Sequence, residues 1–227
     1  MSIRGFAKGF VGFYICSTAG SIAWPFTKWS EPFEPESKLL EGQELARAVE
    51  KRQPQIDAVS ILYQTKWPSF KDISKIDISA DIDYPSPCVL DYVFTKDVSF
   101  NDPVVCLKGR LLVCAAFRGL ECAFESESEV VQTTHFEQGS LVQLDQKWTF
   151  LSLFTFRMRE DLWFEFCETY NIYDSNYNFK ISKIVDLWMG KSLIPYSQFV
   201  RSLTGSITCV PLFLAQKVNL LKSNADP

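Results

Sequence analysis

The chain has 227 residues, 47% hydrophobic and 15% aromatic, so it can bury a substantial core and is too apolar for wholesale disorder. Its 23 basic and 27 acidic residues give a net charge of -4, which offers no field for a polyanion and argues against nucleic acid as a partner. Seven cysteines form an odd, scattered set without a C-x-x-C pair, a pattern of small buried hydrophobes in a reducing compartment. With His135 as the only histidine, the usual zinc spacings cannot be built, and neither a metal nor a cofactor is expected.

Residues 1–30 carry Arg4, Lys8 and an uncharged run from Gly9 to Thr27 that includes Phe10, Val11, Phe13, Ile15 and Trp24. A run of about 18 such residues can span a membrane, and the acid-free first 30 residues also suit a targeting peptide. A membrane anchor or targeting segment is therefore expected there, with packing on the protein's own core as the alternative. Residues 31–87 read as a linker with short helices. Glu31-Pro-Phe-Glu-Pro-Glu36 resists packing, Leu40, Leu45, Ala48 and Val49 recur at helical spacing, and Pro54 divides that pattern from Ile56, Val59, Ile61 and Leu62. Two short helices are predicted, followed by a polar connector to Pro87 whose acids do not match a calcium loop.

Residues 88–190 read as a compact α+β domain. Tyr92 to Phe100 suits a strand ended by Asn101-Asp102-Pro103, and Leu107 to Phe124 predicts an amphipathic helix. Strand-rich segments follow at Glu129–Glu137, Leu141–Arg159, Leu162–Tyr173 and Asn178–Met189. Turns are read at Gln138-Gly139-Ser140, Arg159-Glu160-Asp161 and Asp174-Ser175-Asn176, which implies an antiparallel meander. Trp148, Phe150, Phe154 and Phe156 share one parity and Leu151 and Leu153 the other, so this stretch has two apolar faces, as on a curved sheet around a helix or lining a pocket. Residues 191–227 form a basic, apolar extension, suited to packing on the domain or to lying at a membrane or partner surface.

Phe94-Thr-Lys-Asp-Val-Ser-Phe-Asn-Asp-Pro103 with Leu107-Lys-Gly-Arg110, and Asn178-Phe-Lys-Ile-Ser-Lys-Ile-Val-Asp-Leu-Trp188, carry a resemblance. They are similar to the strand, F-x-D-P turn, helix and closing strand of the nuclear-transport-factor-2-like (NTF2-like) superfamily, among which the chain looks closest to DUF2358-type and SnoaL-like, polyketide-cyclase-like members found in organelles. The resemblance spans about 100 residues and implies a cone: a curved antiparallel sheet packed on helices. It also implies a range of activities, from isomerases and epoxide hydrolases to non-catalytic scaffolds, so function has to come from the site.

An isomerase-type site needs a carboxylate in an apolar cavity and a nearby proton donor. Asp186, sharing parity with Ile184 and Trp188, Tyr92 and His135 are the candidate catalytic set, with Trp148, Phe150, Phe154, Trp163 and Trp188 as pocket lining. Asp102, Tyr170 and Tyr173 are further candidates, although Asp102 before Pro103 reads first as a helix cap. His135 in an alternating strand reads first as a hydrogen-bonded structural residue. An Asp-Arg-Asp hydrolase set would need Arg157 or Arg159 between Asp102 and Asp186, which the spacing does not show. G-x-S-x-G, P-loop and G-x-G-x-x-G motifs do not occur. The reading is a membrane-associated ligand-binding or scaffold domain, with a small-molecule isomerase or cyclase using a carboxylate in an apolar cone as the alternative function. The expected location is an organelle or its membrane, mitochondrial and on the reducing side, with the cytoplasm as the alternative. A small apolar ligand and a homodimer through the sheet are the expected partners.

Overall fold

A computed structural model describes residues 19–20, 23–24, 27, 30–69, 89–150, 153–170, 177–193 and 198–217. The apolar run read as an anchor or targeting segment lies almost wholly outside the described residues, as do the polar connector and Tyr173. Among the described residues no helix is long and apolar enough to cross a membrane.

The order is α1 (Gly42–Leu62), α2 (Leu90–Val93), β1 (Phe94–Asn101), β2 (Cys106–Lys108), α3 (Arg110–Ala123), β3 (Phe124–His135), β4 (Gly139–Phe150), β5 (Phe154–Tyr170), β6 (Tyr177–Trp188) and α4 (Gln198–Lys217). The six strands form one mixed sheet in the order β2-β1-β6-β5-β4-β3. From β3 to β6 it is an antiparallel meander, and β1 joins β6 in parallel. Register shifts between Val130 and Gln132, Glu165 and Phe166, and Phe94 and Ser99 bend three of the ladders, and such irregularities curve a sheet. The concave face takes α1 and α3, whose Ile56, Val59, Leu62 and Val113, Phe117 share one core with Phe94, Leu144, Leu162, Phe164, Ile181 and Ile184. The architecture is α+β, a cone of curved sheet on helices.

Three local expectations change. The two short helices are one of 21 residues, with Pro54 inside it. Proline forfeits one backbone bond, and burial of Ile56, Ala58, Val59 and Leu62 just beyond it offsets that loss. The predicted helix from Leu107 begins three residues later, because Cys106–Lys108 pairs with β1 and Gly109, at φ 98°, makes a corner that other residues rarely adopt.

The third change matters most. Arg159-Glu160-Asp161 is not a turn but lies within the 17-residue β5, and the chain reverses between the paired Phe150 and Phe154. The strand keeps these charges because they divide by parity. Arg159 and Asp161 pair with each other at 2.9 Å on the outer face, and Glu160 points into the cone.

The first half of α4 packs on the domain, against α3 and β2. Val200, Arg201 and Thr204 are buried, the Arg201 guanidinium donates to the Asp102 carbonyl at 3.0 Å, and Gly205 sits where a Cβ would strike Leu107. Before α1, residues 30–40 run beside the domain, bridged at Pro32 to Lys191 and at Leu39 to Phe136. The Trp24 indole donates to the Ser192 carbonyl at 3.1 Å.

Candidate functional site

The cone is hollow. A cavity of about 620 Å³ opens between the sheet and the ends of α1 and α3, lined by Phe124, Trp148, Phe150, Phe154, Phe156, Met158 and Trp188, with Tyr63, Asp102, Glu160 and Asp186 among its walls. Its size falls within the range of small-molecule pockets, and its wall is largely apolar and aromatic. The hairpin of β4 and β5 supplies most of the aromatics. Trp148 pairs with Phe156 and Phe150 with Phe154 across the two strands, so four rings on one face form a ladder toward the mouth. Phe124 closes on Trp148 and Phe150 at centroid distances of 5.4 and 5.1 Å, and Phe150 meets Phe154 at 5.4 Å. Phe154 is 55% exposed, so the ladder emerges into solvent.

Strand register brings the acids together. Asn101 pairs with Val185, which sets Asp102 beside Asp186 across the parallel ladder. Asp186 lies opposite Leu162 and Glu160 opposite Trp188, so Glu160 is one same-face step along β5 from the residue facing Asp186. Glu160 and Asp186 are buried, at 2% and 4% exposure.

Each acid has a distinct set of partners. The Trp148 indole N–H donates to Glu160 Oε1 at 2.8 Å, and Gln146 also donates to this carboxylate. The Tyr63 hydroxyl, delivered by the end of α1, donates to Asp186 Oδ2 at 3.1 Å. Asp102 Oδ1 accepts from the amides of Val104 and Val105 in the turn after β1. It therefore caps its own turn rather than a helix, since α3 begins only at Arg110. Glu160 Oε2 and Asp186 Oδ1 are buried with no protein partner among the described residues.

Burial dominates the acidities, because a low-dielectric site disfavours the charged form. Asp102 is pushed up to about 6, with the two turn amides and Arg201 restraining the rise. Glu160 is pushed up to about 7, chiefly by burial, with Trp148 opposing the rise and the charge of Asp102 adding to it. Asp186 is raised well above the ordinary carboxylate range by burial and then by its two acidic neighbours. Tyr63 is raised as well, by burial and by Asp186. Buried carboxyls that repel each other favour their protonated forms.

Of the residues singled out in the sequence, Asp102, Asp186, Trp148, Phe150, Phe154 and Trp188 line this cavity, and Arg157 stands at it as well. His135 does not. It is buried beyond the β3–β4 turn, its Nδ1 2.8 Å from Ser140 Oγ, and burial and the Arg52 charge lower its pKa. Arg52 donates to the carbonyls of Phe136, Gly139 and Glu137 at 2.7, 2.9 and 3.1 Å, so this cluster holds a hairpin. Tyr92 is buried in the hydrophobic core and does not reach the cavity. Trp163 has the opposite parity to Glu160 and lies on the outer face between Phe33 and Phe136, at 5.8 and 5.7 Å, where it lines a separate groove. The side chain of Tyr170 lies outside the described residues.

Sequence reasoning missed Glu160 and Tyr63. Glu160 was hidden in a polar triplet that mimics a turn, although the even parity it shares with Phe154, Phe156 and Met158 was available as a signal. Tyr63 had none, since its partner is 123 residues away.

Solved structures of similar build include NTF2-like proteins. A hypothetical protein with a ketosteroid isomerase-like fold from Catenulispora acidiphila matches at a TM-score of 0.38 and 7% identity, covering 58% of this chain and 82% of that one. A putative SnoaL-like polyketide cyclase from Jannaschia matches at 0.38 and 11%, covering 60% and 85%. An NTF2-like protein of unknown function from Cytophaga hutchinsonii matches at 0.35 and 8%, covering 60% and 88%. No family model and no curated protein matches the chain. Activity is therefore argued from the cavity alone.

Proposed function

We propose that the chain binds a small, largely apolar molecule in the cone and moves a proton on it, using Asp102, Glu160 and Asp186. The observation that supports this reading is the convergence of three carboxyls, all raised in pKa, on the wall of an otherwise apolar cavity. Such a pairing of hollow space with perturbed acids is a mark of acid–base sites.

The three environments separate the roles. Asp102 loses its proton first, near pH 6, because turn amides stabilise its charged form, and at neutral pH it is the base. Asp186 keeps its proton and is the donor, with Tyr63 fixing its carboxyl through Oδ2. Glu160, near 7, shares protons with Asp186 and resets the pair after transfer. Asp102 would take a proton from an acidic C–H of the ligand while the protonated member of the pair donates to the ligand atom that gains charge. The ligand keeps its proton count, Asp102 gains the proton that the pair gives up, and exchange of these carboxyls with solvent restores the starting forms and carries solvent hydrogen into the ligand.

Exchange of solvent deuterium into a panel of apolar carbonyl and imine compounds, followed by NMR, tests the chemistry. Exchange should accelerate over buffer for at least one compound, rise with pH through about 6, and disappear in Asp102→Asn. Quenching of tryptophan fluorescence by the same panel tests binding separately. Quenching without accelerated exchange would remove the catalytic half of the proposal and leave a binding domain.

A further inference from the structure

We propose that the cone's ligand carries a basic nitrogen, protonated in water, on a hydrocarbon body: a lipophilic amine or imine, held with its nitrogen toward Asp102, Glu160 and Asp186. This rests on the reading of the cone as a small-molecule site and names the class of molecule that fits it.

The sign of the site carries the inference. Among the described residues, Tyr63 at the end of α1, Asp102 after β1, Glu160 from β5 and Asp186 from β6 are the ionisable groups at the cavity's polar end, and all four are acids. No lysine or arginine forms a salt bridge with the three carboxyls among the described side-chain pairs. Of the two neighbouring cations, Arg201 of α4 gives an N–H to the Asp102 backbone carbonyl and its charge lowers the Asp102 pKa, whereas no cation acts in this way on Glu160 or Asp186 among the described residues. Arg157 of β5, at the cavity's edge, is exposed and has the opposite parity to Glu160. β4 contributes only the neutral Trp148 and Gln146 to these acids.

A buried carboxylate without a counter-charge holds a proton instead, and the raised pKa values of Glu160 and Asp186 follow from that cost. A ligand cation removes the same cost by supplying the missing charge, so its binding displaces a proton. Glu160 Oε2 and Asp186 Oδ1, both lacking a protein partner among the described residues, are the acceptors left open for the rearranged hydrogen bonds. The rest of the wall suits the same ligand. Trp148, Trp188 and Phe124 line the cavity with aromatic rings, whose π faces attract cations and not anions, and the Phe150–Phe154 ladder takes a hydrocarbon body out to the mouth. A carboxylate or phosphate ligand would add a like charge to three acids, and a neutral acceptor would use only their protonated forms.

Isothermal titration of the full chain with octan-1-amine, octan-1-ol and octanoate at pH 6, 7 and 8, in two buffers of different ionisation enthalpy, tests this. The amine should bind at least about tenfold more tightly than the alcohol at pH 8, the equivalent of one pKa step. Its affinity should rise with pH by up to about tenfold per pH unit while a proton is displaced, and the heat should depend on the buffer. Octanoate should not bind detectably. Asp186→Asn and, independently, Glu160→Gln should each erase most of the amine's advantage over the alcohol. Equal binding of amine and alcohol, or a preference for octanoate, would overturn the amine assignment and leave the small-molecule reading standing. No binding by any of the three would overturn both.

Discussion

Replacing Glu160 by glutamine should stabilise the protein at alkaline pH. Glu160 is 2% exposed and titrates near 7 rather than at its ordinary 4.5, so the native state holds a proton that the unfolded chain has released. A carboxyl raised in this way contributes no penalty below about pH 4.5, and native stability then falls as pH rises toward about 7. At about 1.4 kcal/mol for each tenfold step in proton affinity, the gap corresponds to a loss of about 3 kcal/mol, reached by pH 8. Asp186 is raised as well, chiefly by burial, and adds to the loss in the same direction.

Glutamine keeps the shape, can still accept from the Trp148 indole, and carries no charge to bury. The substitution should therefore recover about 2 to 3 kcal/mol at pH 8, or about 4 to 12 °C in Tm for a domain of this size, and be near neutral at pH 4.5. Denaturant unfolding followed by fluorescence at half-unit pH intervals from 4.5 to 8.5 measures both curves. A wild-type protein as stable at pH 8 as at pH 5, together with a variant no more stable at pH 8, would refute the claim that Glu160 is buried without a counter-charge.

Other substitutions probe the supports of the site. Tyr63→Phe removes the donor at 3.1 Å from Asp186 Oδ2 and should cost about 1 to 2 kcal/mol in denaturant unfolding, with the Asp186 inflection moved to still higher pH. Arg52→Met withdraws three hydrogen bonds from the β3–β4 turn and should cost about 3 kcal/mol, with loss of amide-exchange protection concentrated at residues 135–140. Gly139→Ala places a Cβ against the Phe164 carbonyl and the Trp163 ring and should cost about 2 kcal/mol, measured the same way.

Much of the architecture was legible because it follows from local pattern. The 2-residue period of β3 to β6, the helical spacing of α3 and the Asp-Pro break after β1 depend on residues close in the chain. The parity shared by Asp186, Ile184 and Trp188 marked one carboxyl on an apolar face, and the shared parity of Trp148, Phe150, Phe154 and Phe156 survives the reversal between them, since the hairpin pairs Trp148 with Phe156 and Phe150 with Phe154. Pattern failed where polarity and exposure part company. Arg159-Glu160-Asp161 is as polar as a turn, yet its middle residue faces the cavity and its outer two pair with each other. The reversal between Phe150 and Phe154 carries none of the usual turn residues Gly, Pro, Asn or Asp, and Leu153 is 76% exposed.

What the sequence by itself determined is therefore the element types, the α+β class and the presence of aromatic and acidic residues in the same strands. Whether those residues fill a core or line a space was settled by tertiary structure, because the cavity depends on how far α1 and α3 extend beneath the curved sheet. The meeting of the three acids is non-local in the same sense. It depends on the parallel register of Asn101 with Val185 and on a tyrosine 123 residues from its partner, distances along the chain over which no periodicity carries information.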